Sequence, residues 1–126
     1  MGEIDETAVK AVGAFGGGIV SSGGTCGILL GGVAAISSIY SRGNLDVKED
    51  PRTWSVSRKF MQEFEELTKD FGSMDCRDIA KVDWKNRIAV KNYYANPLSS
   101  RKICTKLVGE AAYALGELID QQSEKE

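Results

Sequence analysis

The amino-acid sequence predicts an all-α fold, a small helical bundle of about four to five helices around a central, buried helix rich in glycine, alanine and isoleucine. Apolar residues recur at three- and four-residue spacing, and glycine or proline separates the segments that carry them. No segment shows the period-two alternation of a strand. A chain of 126 residues suits one domain, and we place a single helical domain over residues 1–126.

The first predicted helix runs from about Asp5 to Phe15, because apolar residues return there at helical spacing. Three consecutive glycines, residues 16–18, supply the positive φ angles found at helix ends, so we expect the helix to stop there. The apolar residues on one face of this helix are Ala8, Val9, Val12 and Phe15.

The second predicted helix begins at Thr25, an expected N-cap, and ends near Ser41, with Gly43 as its stop signal. It is apolar almost all round, as expected of a central buried helix. Gly27 and Gly31 lie four residues apart and, together with Gly32, would let another backbone approach closely. Its apolar side chains are Ile28, Leu29, Leu30, Val33, Ala34, Ile36 and Ile39.

The third predicted helix spans Thr53 to Phe71, after a loop over residues 43–52 in which Pro51 suits an early helical position. Gly72 closes this helix. Its apolar side chains fall on one face, and they are Val56, Phe60, Phe64, Leu67 and Phe71.

Two further helices are expected in the last part of the chain. Ser73 or Asp75 would cap a short fourth helix that contains Cys76 and Ile79. The last helix would follow Pro97 and run from about Leu98 to Gln121. Its buried stripe is Ile103, Leu107, Ala111, Ala114, Leu115 and Leu118. The stretch 83–96 stays unassigned, and its aromatic residues Trp84, Tyr93 and Tyr94 suggest packing at a rim.

Composition excludes several classes of function. Sixteen basic and eighteen acidic residues leave a net charge of −2, which gives no reason to expect nucleic-acid binding. Histidine is absent, which removes Ser-His-Asp and Cys-His catalysis, zinc sites that use histidine, and haem attachment. The glycine-rich stretch contains no phosphate-loop or dinucleotide motif, so we expect no bound nucleotide.

The stretch between Lys10 and Arg42 contains no charged residue and is long enough on paper to span a bilayer. Nine of its residues are glycine and its centre is polar, so we expect two shorter buried helices and no membrane span. The N-terminus is acidic and has no basic region before an apolar stretch. We therefore expect a cytoplasmic protein with reduced cysteines.

The three cysteines are the candidate reactive groups. Cys26 follows the glycine-rich turn that contains Gly23 and Gly24, and Gly27 comes directly after it. Cys76 opens the short fourth helix beside a basic residue. Unpaired amides and the positive helix end favour a thiolate at such positions.

Cys104 lies early in the last helix, beside Arg101 and Lys102. The gaps of fifty and twenty-eight residues between the cysteines match no metal-ribbon spacing. A free cysteine is also often a small buried hydrophobe, so the residues alone leave function open.

Three segments together resemble a known family. They are Phe15-Gly16-Gly17-Gly18 with Gly23-Gly24-Thr25-Cys26-Gly27, then Phe71-Gly72-Ser73 with Cys76-Arg77-Asp78-Ile79, then Cys104-Thr105-Lys106-Leu107-Val108. The chain resembles the C_GCAxxG_C_C family, small helical proteins described as redox-active, over about residues 7 to 119. A related domain occurs in split-Soret cytochromes c, whose cysteines are associated with an iron–sulfur cluster.

The resemblance assigns Cys26, Cys76 and Cys104 to the second, third and fourth family cysteines, and no residue matches the first. Ile28 replaces the alanine that usually follows the Cys-Gly pair. A site of four thiolates would then need another ligand, for which Asp75, Asp78, water or another subunit is a candidate. No haem motif is present, so cytochrome function is not implied.

The leading hypothesis is a small redox-active protein. Cys26, Cys76 and Cys104 would converge to hold an iron–sulfur cluster or another thiophilic metal, or to exchange disulfides. If it is an enzyme, it is an oxidoreductase or an electron-transfer protein, with a redox partner protein. The alternative is a non-catalytic helical interaction module, a homodimer, whose cysteines are structural or vestigial. In both cases the large charge-free region leads us to expect a homo-oligomer, a dimer in the first instance.

Overall fold

The computed structural model describes residues 5–124, with side chains to residue 123, and this part of the chain forms a helical domain. The helices are α1 (Glu6–Ala11), α2 (Gly27–Tyr40), α3 (Arg52–Thr68), α4 (Cys76–Ile79), α5 (Arg87–Ala95) and α6 (Arg101–Glu124). Turns of 3-10 helix at Gly13–Phe15 and Lys69–Phe71 extend α1 and α3. The all-α class is confirmed. The described residues contain six α-helices, because residues 83–96, left unassigned from the sequence, supply α5.

The core lies between α2, α3 and α6, which pack against one another. The apolar face predicted for α3 faces inward, with Val56, Phe60 and Phe64 fully buried. From α6, Leu107, Ala111 and Leu118 are buried, whereas Ile103 at the start of the helix is partly exposed. The main core cluster, as we call it, consists of Cys26, Leu29, Ile36, Val56, Phe60, Phe64, Ile79, Leu107, Ala111 and Leu118.

Helix α2 is buried on one side. Leu29, Gly32 and Ile36 are buried, whereas Ile39 is 39% exposed. A Cβ atom added to Gly32 would lie 2.2 Å from the Phe60 ring, so this glycine is the position where α3 crosses α2 closely. Gly31, expected at such a crossing, faces open space.

The starts of the helices are fixed by short polar side chains and by an isolated β-bridge between Thr25 and Asp75. Asp5 accepts hydrogen bonds from two amides of α1, and Asn86 does the same for α5. The N-cap of α2 is Cys26, one residue beyond the expected Thr25. Thr25 is extended because its backbone pairs with Asp75.

The last helix begins at Arg101, later than the expected Leu98. Ser99 and Ser100 precede it and donate their hydroxyl hydrogen bonds to the carbonyls of Tyr93 and Ala80. These bonds hold the residues after Pro97 in a turn that joins α6 to α5 and α4. Within residues 5–124, no helix is both long enough and apolar enough to cross a membrane.

Replacement of Gly32 by alanine is expected to lower the free energy of unfolding by about 1–3 kcal/mol, because Phe60 is fully buried and cannot move away from the new methyl group. The matched control is Gly31→Ala, which adds a methyl group to open space in the same helix. It should raise stability by about 0.5–1 kcal/mol. Urea unfolding followed by circular dichroism measures both, and equal effects would contradict the crossing at Gly32.

Candidate thiol site

A single antiparallel bridge between Thr25 and Asp75 joins the start of α2 to the start of α4. Its two backbone hydrogen bonds, 3.0 and 2.7 Å long, are donated by the N–H groups of Cys26 and Cys76 to carbonyls of the opposite segment. Because side chains alternate along extended backbone, both cysteines lie on the face opposite to Thr25 and Asp75. The bridge therefore places two cysteines that are distant in sequence on one face.

The glycine-rich turn before Cys26 contains five successive residues with positive φ, residues 17–21. Ile19, Val20 and Ser21 are three of them, with φ of 69°, 52° and 55°. This conformation is costly for residues with a side chain, above all β-branched ones, and persists only where the surroundings impose it. Here the N–H groups of residues 19–24 all donate to carbonyls of residues 14–19.

The turn packs directly on the bridge. A Cβ atom added to Gly18 would lie 2.7 Å from the Cβ of Cys76 and 2.5 Å from the carbonyl oxygen of Gly24. The Gly23 carbonyl accepts hydrogen bonds from the backbone N–H and the side-chain Nε of Arg77, at 3.1 and 2.9 Å. The glycines near Cys26 thus let backbone segments approach one another.

Gly27, on the other side of Cys26, serves the same purpose. A Cβ atom there would lie 2.9 Å from the carbonyl oxygen of Phe15. The start of α2 is therefore packed against the end of the α1 segment, and the space that Gly27 leaves is filled by protein backbone.

The third cysteine, Cys104, comes from α6 and lies between two groups of apolar side chains. It packs against the main core cluster, which contains Cys26. It also packs against a second group that we call the aromatic cluster, formed by Cys76, Ala80 and Tyr93 with Val82 and Trp84. All three cysteines are free thiols. Cys26 and Cys76 are 6% and 8% exposed, whereas Cys104 is half-buried.

Burial dominates the electrostatics of the two bridge cysteines. It raises the pKa of Cys26 and Cys76 above the ordinary 9.0, because a buried thiolate loses its hydration. The amides of Ile28 and Leu29, at the start of α2, lower the pKa of Cys26 but do not outweigh burial. The expectation that helix starts favour a thiolate at these two positions is therefore wrong.

The three thiols interact electrostatically. A charge on Cys104 raises the pKa of Cys26 and of Cys76, and a charge on Cys76 raises that of Cys26. The pKa of Cys26 therefore depends on the charge of both other thiols, and the pKa of Cys76 depends on the charge of Cys104. Without a compensating cation, the region disfavours two thiolates at once.

Two aromatic side chains, Trp84 and Tyr93, pack beside the cysteines. The buried Nε1 of Trp84 has no hydrogen-bond partner among the described residues, yet its approach lowers the pKa of Cys76. We take this as an electrostatic contact without hydrogen-bond geometry. Burial, and then the interaction of its hydroxyl with Cys104, raises the pKa of Tyr93, so the phenol keeps its proton. The Trp84 and Tyr93 rings meet edge to face at 5.3 Å.

The residues 5–124 contain no group of three or more cysteine, aspartate or glutamate side chains arranged to hold a metal ion. Asp75 lies on the opposite face of the bridge from the thiols, and Asp78 accepts a hydrogen bond from the Ser73 hydroxyl. The donor set does not fit a preformed metal site.

The sequence did not assign Gly18, Trp84 or Tyr93 to this site. The aromatic pair was expected to pack at a rim, and its position beside Cys76 and Cys104 depends on how α5 docks. Gly18 carried a signal, since it stands in a run of three glycines. What it contacts could be found only from the fold.

Comparison with protein families identifies one match. The family model with the description "Putative redox-active protein (C_GCAxxG_C_C)" matches residues 1–118, which is most of the chain. Comparisons with curated proteins and with solved structures gave no match. The family match agrees with the resemblance seen in the three cysteine segments.

Replacement of Gly18 by alanine should both destabilise the protein and expose Cys76. The new methyl group would meet the Gly24 backbone and Cys76, at a φ of 74°, so we expect a loss of roughly 1–3 kcal/mol. Gly16→Ala is the control, since Gly16 has a φ of −58° and faces open space. Alkylation of each cysteine, followed by mass spectrometry, should show faster labelling of Cys76 in the Gly18 variant alone. Unchanged labelling would contradict the contact.

The raised pKa values predict a pH dependence of labelling. Only the thiolate reacts, so Cys26 and Cys76 should label more slowly than a free cysteine at pH 7 and should accelerate as the pH rises above about 9. Stability should fall over the same range, because the folded state holds these protons more tightly than the unfolded chain. Residue-resolved alkylation rates at several pH values measure the effect. Rates that are already constant by neutral pH would show that burial does not control these thiols.

Proposed function

The chain belongs to the C_GCAxxG_C_C family, whose members are described as redox-active, and on that premise we propose that it is a thiol–disulfide redox protein whose reactive pair is Cys104 and Cys76. The observation that carries this proposal is the position of Cys104. It is half-buried, and it packs against the aromatic cluster that contains Cys76.

Access makes Cys104 the attacking thiol. Cys26 and Cys76 are both nearly enclosed, so a substrate sulfur reaches Cys104 first. Arg101 and Lys102 are exposed on the same turn of α6, and their charges attract an anionic substrate. Burial, and then the interaction of its hydroxyl with Cys104, raises the pKa of Tyr93, so a protonated phenol lies beside the attacking thiol.

The proposed reaction has two steps. The Cys104 thiolate attacks one sulfur of a substrate disulfide, forms a mixed disulfide, and releases the other substrate sulfur as a thiolate. The Cys76 thiolate then attacks the Cys104 sulfur. The bond between Cys76 and Cys104 forms, and the second substrate thiolate leaves. Two electrons pass from the dithiol to the substrate, whose thiolates take up the two protons that the cysteines lose.

The local structure favours Cys76 over Cys26 as the second thiol. A disulfide requires Cα atoms about 4.4–6.8 Å apart, so backbone near one partner must be able to adjust. Cys76 opens α4, a helix of only four residues that follows Gly72 in a left-handed conformation. Cys26 begins α2 and belongs to the main core cluster, so its movement would disturb the packing of α2 on α3.

The expected outcome is one reversible two-electron couple in the purified protein. Equilibration with thiol–disulfide buffers, followed by peptide mapping without reduction, should give a disulfide between Cys76 and Cys104, at a potential within the range of cellular dithiols, roughly −120 to −270 mV. Cys76→Ser and Cys104→Ser should abolish it. Cys26→Ser is the matched control and should retain it.

Two results would contradict the proposal. Iron and inorganic sulfide in stoichiometric amounts after anaerobic purification, lost on Cys26→Ser, would establish instead an iron–sulfur cluster held by the three cysteines. A metal-free protein whose thiols react slowly and form no disulfide would favour the non-catalytic interaction module.

A further inference from the structure

The face of α6 that points away from the main core cluster is exposed along the length of the helix. Lys102, Lys106, Gly109, Tyr113 and Gly116 all lie on it, and none of them is buried. Tyr113 is 72% exposed, the largest value for an aromatic ring in the described residues. Its neighbours on this face are small or charged residues.

The middle of this face is flat except for the ring of Tyr113. Gly109 and Gly116 stand one heptad apart, and a Cβ atom at either position would meet nothing within 4 Å. Ala112 lies between them and is exposed. Small residues at such spacing allow a second helix to approach the backbone closely, with Tyr113 available to pack over it.

The charges on the face divide at its middle. Lys102 and Lys106 lie in its N-terminal half, and Glu117 and Asp120 lie in its C-terminal half. The midpoint between Lys102 and Asp120 is residue 111. The midpoint between Lys106 and Glu117 is the peptide bond between residues 111 and 112. Because a helix rises about 1.5 Å per residue, these two midpoints lie less than about 1 Å apart along the helix axis.

We propose that this face binds a second copy of the chain, with the two α6 helices antiparallel about a two-fold axis near residues 111 and 112. The basic half of each α6 then faces the acidic half of the other copy's α6. Lys102 is placed opposite Asp120 and Lys106 opposite Glu117, and the two-fold axis repeats each pair. The flat Gly109–Gly116 segment lies at the axis, where the helices come closest. Antiparallel helices also align their dipoles favourably.

A groove extends the contact at each end. It lies between α5 and the start of α6, has a volume of about 620 Å³, and is lined by Tyr94, Pro97, Arg101 and Lys102 among others. In the antiparallel arrangement the acidic end of the partner's α6 approaches this basic groove. The charges select the partner and its direction, whereas the apolar centre supplies most of the affinity.

Glu110 is the one acidic residue near the axis, and its charge is compensated within the chain. Its carboxylate lies 3.8 Å from the Nζ of Lys106, one turn earlier in the same helix. The symmetrical pairing therefore brings no uncompensated acidic group to the centre.

Light scattering after gel filtration, in the presence of a reducing agent, tests this contact separately from any thiol chemistry. The wild-type chain should be a dimer at micromolar concentration. Lys102→Glu with Lys106→Glu, and separately Glu117→Lys with Asp120→Lys, should each weaken the dimer at least tenfold. Arg58→Glu with Lys59→Glu changes the charge equally on the exposed side of α3 and should leave the dimer intact.

The decisive measurement is the mixture of the two double variants. Each repels itself but presents a complementary face to the other, so an equimolar mixture should form a heterodimer, and the fourfold charge-swapped chain should dimerise again. Circular dichroism checks that each variant folds. A monomeric wild type, double variants that stay dimeric, or a mixture that stays monomeric would overturn the proposal.

Discussion

The candidate site depends on the two backbone hydrogen bonds of the bridge between Thr25 and Asp75. They connect segments fifty residues apart, and they are donated by the residues whose thiols the site uses. The left-handed turn over residues 17–21 is held against this bridge through Gly18 and the Arg77 contacts to Gly23. Without the bridge, Cys26 and Cys76 would have no reason to share a face, and the cost of the left-handed turn would not be compensated.

Burial gives this site its chemical character. Reactive cysteines in many proteins are activated by a helix start, but here the desolvation of Cys26 and Cys76 outweighs the amides that face them. Two protected thiols and one accessible thiol form an asymmetric set. Such a set suits an order of reaction in which Cys104 attacks the substrate first and an enclosed thiol then completes the exchange. This reaction does not require three thiolates at the same time, a state that their mutual repulsion disfavours.

Local patterns in the sequence were enough to predict the described helices other than α5, since periodicity and glycine stops act within a few residues. The stripe of Val56, Phe60 and Phe64 and the stop at Gly72 are examples. The site was predictable only as three cysteines with a family resemblance. The shift of the N-cap from Thr25 to Cys26, and the docking of Trp84 beside Cys76, follow from contacts between distant segments that no local pattern contains.

The proposed thiol pair and the proposed dimer share one helix, α6. Cys104 lies on the inner side of α6, while Lys102 and Lys106 lie within two residues of it on the outer side. A disulfide between Cys104 and Cys76 would constrain the first turns of α6, which carry the basic half of the dimer face. If oxidation changes the affinity between two copies, then dimerisation changes the reduction potential by the same free energy, because linkage is reciprocal. The redox state of Cys104 would therefore also affect how tightly α6 binds the second copy of the chain.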